Sequence, residues 1–208
     1  MTTATLLSQR DLALGLLARH GILRLSDLKS QGVHPPTLSR LVEEGLLRQP
    51  SRGLYEIAGA EVNFNHSFAE VAKRAPKAVI CLVSALQFHE ITLQNARSVW
   101  IAIGSKDRKP AIDYPPTRVM RFGAAGLTLG VETHRIDGAP VRIFDPAKSI
   151  VDCFRFRNKV GLDVALEALR LGWRSRKANP DKIVAYARKL RIWTVIRPYL
   201  ESVVADEG

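Results

Sequence analysis

Cysteine is nearly absent: Cys81 and Cys153 are the two in 208 residues, both sit inside apolar patterns, and they have no metal-like spacing. They read as buried thiols in a reducing cytoplasm. Long apolar runs are missing too. The longest, Ala78 to Leu86, is interrupted by Ser84 and falls well short of the ~18 residues a membrane span needs. The opening residues lack a basic stretch followed by a cleavable apolar one, so export is not indicated and a cytoplasmic location is expected. The five histidines, 20, 34, 66, 89 and 134, are scattered without paired ligand spacing, which predicts no metal. No nucleophile elbow occurs, and Gly104, Gly123, Gly126 and Gly130 do not form a phosphate-binding loop, so no cofactor and no catalytic residues are expected. What remains, with 46% hydrophobic, 25% charged and 7% aromatic residues, is enough to bury a core.

Acidic residues are also in deficit. There are 20 Asp and Glu against 31 Lys and Arg, a net charge of +11. A surplus of this size attracts polyanions, of which nucleic acid is the commonest in a cytoplasm. Its distribution is uneven: residues 1–60 hold 7 basic and 5 acidic residues, net +2, leaving +9 for residues 61–208. Lys148 to Arg191 alone carries 12 basic and 4 acidic residues, net +8.

The first 60 residues are closely punctuated. Leu6 to Ala18 has apolar positions at Ala13, Leu16 and Leu17 in helical spacing, ended by Gly21. Ile22 to Leu25 forms one extended rung, and Ser26 is placed to cap a short helix through Gln31, closed by Gly32. Pro35 opens a further helix whose apolar face is Leu38, Leu41 and Val42, ended at Gly45. Leu46 to Gln49 and Leu54 to Ala58 are then extended, joined through Pro50-Ser-Arg-Gly53 as a hairpin.

Three helices and a hairpin predict a winged helix-turn-helix over residues 1–60, with Pro35 to Glu44 as its second, reading helix. The competing interpretation is a small helical cap that uses the same pattern only to bury leucines. Against it, Pro36, Thr37, Ser39 and Arg40 are placed on the solvent side as contacts to bases or phosphates, and Arg48, Gln49, Ser51 and Arg52 sit at the wing. Glu43 and Glu44 fall toward the helix end expected to point away from DNA.

Residues 60–65 are a connection to a second domain, 61–208, of mixed α and β. Phe68, Val71 and Ala72 suggest a helix, and Val79 to Phe88 a second, more buried one. Val99 to Ile103, Thr117 to Phe122, Val131 to Ile136 and Val141 to Phe144 read as strands, the last two joined at Asp137-Gly138. Asp145-Pro146 caps a helix through about Phe156, Leu162 to Leu171 and Asp181 to Leu190 continue as helices, and Pro198 limits a last one from Trp193. The fold class is thus α/β in the α+β sense.

Metal-dependent nuclease chemistry is the sharpest enzymatic alternative. Asp107-Arg-Lys109 with Glu90 upstream imitates an acid and acid-x-lysine arrangement, but Asp107 lies in a charged loop, where a solvated turn explains it better. Lys148 and Asp152, with Arg155, make a small helical charge ladder. Its line continues through Arg157, Lys159, Arg170, Arg174, Arg176 and Lys177 as a basic helical face able to grip phosphates, although a merely solvated face has the same composition. A second non-enzymatic possibility is a one-component repressor whose α/β domain senses a ligand.

Several blocks together resemble the AbiEi family, the antitoxins of AbiE-type (type IV) toxin–antitoxin phage-defence modules. They are His20-Gly-Ile-Leu-Arg-Leu25, Arg52-Gly-Leu-Tyr55, Val79-Ile-Cys-Leu-Val-Ser-Ala-Leu86 with Gln87-Phe-His89, Val99-Trp-Ile-Ala-Ile103 and Ile150-Val-Asp-Cys-Phe-Arg-Phe-Arg-Asn-Lys-Val-Gly161. The resemblance implies a winged helix that binds an inverted repeat of double-stranded DNA in its own promoter, as an autorepressor. It also implies a second domain that opposes a nucleotidyltransferase-like toxin without needing a tight complex with it. Thr37, Ser39 and Arg40 then fall on the reading helix and Arg52 on the wing. Pro35-Pro36 is a stiffer helix start than the family pattern. A monomer or weak dimer, cooperative on DNA, fits an inverted repeat.

Overall fold

The computed structural model describes residues 8–20, 23–59, 64–94, 96 and 98–207. Residues 1–7, Gly21 and Ile22, and most of the expected 60–65 connection lie outside these. The chain divides into two compact units, residues 1–66 and 67–208.

The first unit is a winged helix-turn-helix. It runs α1 (Gln9–His20), β1 (Leu23–Arg24), α2 (Leu25–Ser30), α3 (Pro35–Glu43), β2 (Leu47–Ser51) and β3 (Leu54–Ile57). The three strands form one antiparallel sheet in the order β1-β3-β2. Ala13, Leu16 and Leu17 of α1 meet Leu28 of α2, Leu38 and Leu41 of α3, and Leu47 and Tyr55 of the hairpin in a single buried cluster. Ser26 is not the cap of α2: Arg24 holds that position and the Ser26 hydroxyl donates to Asp27 instead.

The turn between α2 and α3 is set by Gly32. Its N–H donates to the Lys29 carbonyl and that of Val33 to the Leu28 carbonyl, the paired closure that needs a left-handed residue, and Gly32 has φ +85°. α1 brackets the same turn. The Gln9 side-chain amide donates to the Gly32 carbonyl (3.0 Å) and accepts from the His34 N–H (2.9 Å). Pro35 and Pro36 occupy the first two positions of α3, where a missing N–H costs nothing.

The second unit is mixed α and β. After α4 (Phe64–Arg74) come β4 (Val79–Ile80), α5 (Leu82–Phe88), β5 (Val99–Gly104), β6 (Thr117–Phe122), α6 (Ala124–Thr128), β7 (Val131–Ile136) and β8 (Ala139–Phe144). The helices α7 (Pro146–Arg155), α8 (Arg157–Val160), α9 (Leu162–Arg174), α10 (Pro180–Lys189) and α11 (Trp193–Glu207) complete it. The five-stranded sheet has the order β6-β5-β4-β8-β7, parallel at β5–β6 and β4–β8 and antiparallel at β4–β5 and β7–β8. The helix expected over Val79 to Phe88 is therefore a strand followed by a helix. Val79 and Ile80, β-branched and buried, supply the central strand, and the chain is extended at Cys81 before α5 begins.

α7 organises this unit, packing against α5, α9 and α10. Every residue from Ala147 to Phe154 is buried, as in a helix sunk in a core. Its start is tied by Asp145, whose carboxylate accepts from the Lys148 N–H (2.7 Å), the Tyr186 hydroxyl (2.8 Å) and the Lys182 ammonium (3.5 Å). Burial and that carboxylate push the Tyr186 phenol up to about 12.

Candidate nucleic-acid interface

α3 turns Pro36, Ser39, Arg40 and Glu43 outward at helical spacing, and all four are exposed. Thr37 is a correction. It is 8% exposed, because it stands one turn before Leu41 and beside Leu38, so the helical period carries it to the core rather than to solvent. Arg40 extends toward Glu44 (3.7 Å), and Arg10 of α1 reaches the same carboxylate (3.2 Å). Both pairs are solvent-exposed and weak, so they orient Arg40 without locking it. The contribution of Arg10 was hidden in the sequence because it lies on another helix.

The wing is shorter at its tip than the sequence suggests: β2 continues to Ser51 and the turn is Arg52-Gly53. The pairing register shifts between Arg48 and Ser51, where Pro50 brings no N–H to the ladder. Arg48 stands directly across from Glu56 and pairs with it. Since the Glu56 carboxylate is buried, Arg48 neutralises it, which gives that residue a structural duty at the hairpin base. Gln49 and Arg52 are exposed, and Arg52 makes no ion pair among the described residues. The Ser51 side chain lies outside the described ones. Of the residues expected to contact DNA, the structure leaves Pro36, Ser39 and Arg40 exposed on the helix and Gln49 and Arg52 exposed on the wing.

In the second unit, the basic face expected from Lys148 onward does not form one surface. Lys148 is wholly buried and pairs with Asp152, which is equally buried, while its ammonium lies 4.0 Å from the Phe144 ring centroid. Burial pushes the Lys148 ammonium down and the Asp152 carboxyl up to about 6; their attraction offsets part of each effect. The error has a clear origin. A lysine one turn before an aspartate has the same pattern on a solvated helix, and the surrounding elements alone decide that α7 is enclosed.

Arg155 and Arg157 are half-buried, the first beside the Phe122 and Phe156 rings, the second donating to the Phe154 carbonyl (3.0 Å). Lys177 is held by the Glu90 carboxylate (2.6 Å) and the His89 carbonyl (3.0 Å). Lys177 also holds the Glu90 carboxyl below the usual range. Lys159, Arg170, Arg174 and Arg176 are exposed, and Arg170 and Arg174 share the outer face of α9 with Asp163 and Glu167. That face is mixed in charge.

Each acid of the nuclease-like pattern has a partner of its own. Asp107 accepts from the Gly104 N–H (2.9 Å) and closes its own turn, and Glu90 is paired elsewhere. His89 and His134, far apart in sequence, come to 6.2 Å between ring centroids, yet among the described residues no group of three His, Cys, Asp or Glu is arranged to hold a metal ion. Among the same residues no helix is long and apolar enough to cross a membrane.

Comparison with known proteins fits this anatomy. The chain as a whole has a likeness in structure: the crystal structure of the RV2827C protein from Mycobacterium tuberculosis superposes with a TM-score of 0.56 at 14% identity, covering 95% of this chain and 78% of that one. At that identity the likeness is one of fold. No curated protein matches the sequence. Residues 12–58 match the family model described as a transcriptional regulator, AbiEi antitoxin, and this segment contains most of α1, the turn, the reading helix and the wing. Over residues 12–58, then, the chain is similar to the AbiEi antitoxin transcriptional regulators.

Proposed function

We propose that this protein is a promoter-binding autorepressor and the antitoxin of a type IV toxin–antitoxin module. The winged helix inserts α3 into the major groove of an inverted repeat upstream of its own gene, one molecule on each half-site. Ser39 and Arg40 contact base edges, and Arg52 and Gln49 follow the backbone at the wing. The second unit opposes a nucleotidyltransferase-like toxin and has no need of a stable complex with it; no catalytic step belongs to this chain.

The observation that carries this reading is the outward face of α3, where Pro36, Ser39 and Arg40 are exposed within a segment that matches a regulator family. The test is DNase footprinting of the upstream region together with co-expression of the neighbouring gene. Two protected half-sites and rescue of growth are expected. Absence of protection at moderate salt overturns the repressor half, and absence of rescue overturns the antitoxin half.

A further inference from the structure

β6 is an edge strand that pairs with β5 alone. Two depressions open beside it, of about 430 Å³ and about 310 Å³, and both are lined by Trp100 and Arg118. Those two residues face each other across the β5–β6 ladder, and the Arg118 guanidinium stands over the indole, 4.7 Å from its centroid. Arg121 and Lys159 flank the first depression, Gln94 and Ser98 the second. Among the described residues no Asp or Glu lines either one. Among the described residues Arg118 and Lys159 make no ion pair, unlike Lys148 and Lys177. Arg121 is anchored, donating to the carbonyls of Ser105 (2.9 Å) and Asp107 (2.8 Å). The floor is equally fixed, since the Trp100 backbone N–H donates to the buried Ser84 hydroxyl (2.9 Å).

A guanidinium backed by an indole is a flat cation with one face and its N–H edge left for a ligand. The ligand that uses both is a nucleotide: its base stacks on the plane and its phosphate meets the edge. Each depression is of a size to take one small ringed group rather than the width of a duplex. The geometry points to a binding site for single-stranded nucleic acid along the β6 edge, in which Arg118 stacks against a base and Lys159 holds a flanking phosphate. Every residue of this site belongs to the second unit, so the inference stands apart from the winged-helix reading.

The test is fluorescence anisotropy of the full chain with labelled oligouridylate, oligoadenylate and their deoxy counterparts, about eight nucleotides long, within the usual range of site sizes. Wild-type protein is expected to bind all of them. Arg118→Gln and Arg118→Lys should both lower affinity about tenfold, the loss of one base stack, because lysine keeps the charge and loses the plane. Lys159→Gln should weaken binding less, and Arg135→Gln on β7, the opposite edge of the sheet, should leave it unchanged within about twofold. Tighter binding of the ribose series than of the deoxyribose series supports an RNA ligand, and equal binding supports a site that reads base and phosphate alone. Absence of binding overturns the inference. So does wild-type affinity in Arg118→Lys, which reduces the groove to a point charge for any polyanion, and so does an equal loss in Arg135→Gln.

Discussion

Lys148 and Asp152, one turn apart on α7, form an ion pair with neither side chain open to solvent. Such a pair costs more to bury than its attraction returns, which is why the carboxyl is pushed up and the ammonium down. Removing one partner should hurt more than removing both. Lys148→Met is expected to lose about 3–5 kcal/mol in urea denaturation, whereas Lys148→Met with Asp152→Val should match or exceed wild type. A double variant as unstable as the single one contradicts this.

The same pair gives a pH signature. The folded-state value for Asp152, about 6, lies above the ordinary 3.8, so its contribution to stability is present below about pH 4 and is lost as pH rises toward 6. Relative to the double apolar variant, wild-type protein should therefore lose stability between pH 4 and pH 6. Denaturation midpoints of the two proteins across that range measure it, and parallel curves would argue that the carboxyl is not perturbed.

Gly130 lies against this pair from the β7 side. It has φ +66°, and a Cβ there would stand 2.8 Å from the Lys148 Cβ, which has no freedom to retreat. Gly130→Ala should destabilise the second unit by about 1–3 kcal/mol, read as a lower thermal midpoint.

The two thiols are inert in the folded chain. Burial pushes both Cys81 and Cys153 up, so neither supplies thiolate at neutral pH. Ellman's reagent at pH 8 should titrate no thiol in native protein and two after unfolding; a fast-reacting native thiol would contradict the packing of α7 against β4 and α5.

Much of the first unit was legible because its signals are local. Gly32 and Pro35 there, like Asp137-Gly138 in the second unit, each specify a backbone conformation within a few residues, and the observed elements turn where they stand. The features that escaped depend on neighbours distant in sequence. Thr37 and Lys148 are polar residues whose burial is decided by helices and strands packed around them, Arg48 is claimed by Glu56 across a hairpin, and Val79 and Ile80 become a strand because a sheet accepts them. The Trp100–Arg118 ridge was illegible for the same reason: it arises from the parallel register of two separate strands.

Within the winged helix-turn-helix, stability and the proposed recognition are expected to rest on different residues. Arg48→Ala should lower the stability of the hairpin, by about 1–3 kcal/mol, and Glu56→Gln in the same chain should restore most of it, since the uncompensated buried carboxylate is then gone. Thr37→Val, which keeps a buried shape, should bind DNA within about twofold of wild type.

Titration of wild type and Arg40→Ala on the upstream inverted repeat and on a scrambled duplex, at the same salt concentration, decides whether the exposed face of α3 reads a promoter sequence. Wild type should prefer the repeat, and Arg40→Ala should lose about 1–3 kcal/mol on the repeat with little change on scrambled DNA. Equal affinity of wild type for both duplexes, or an equal loss on both in Arg40→Ala, would contradict it.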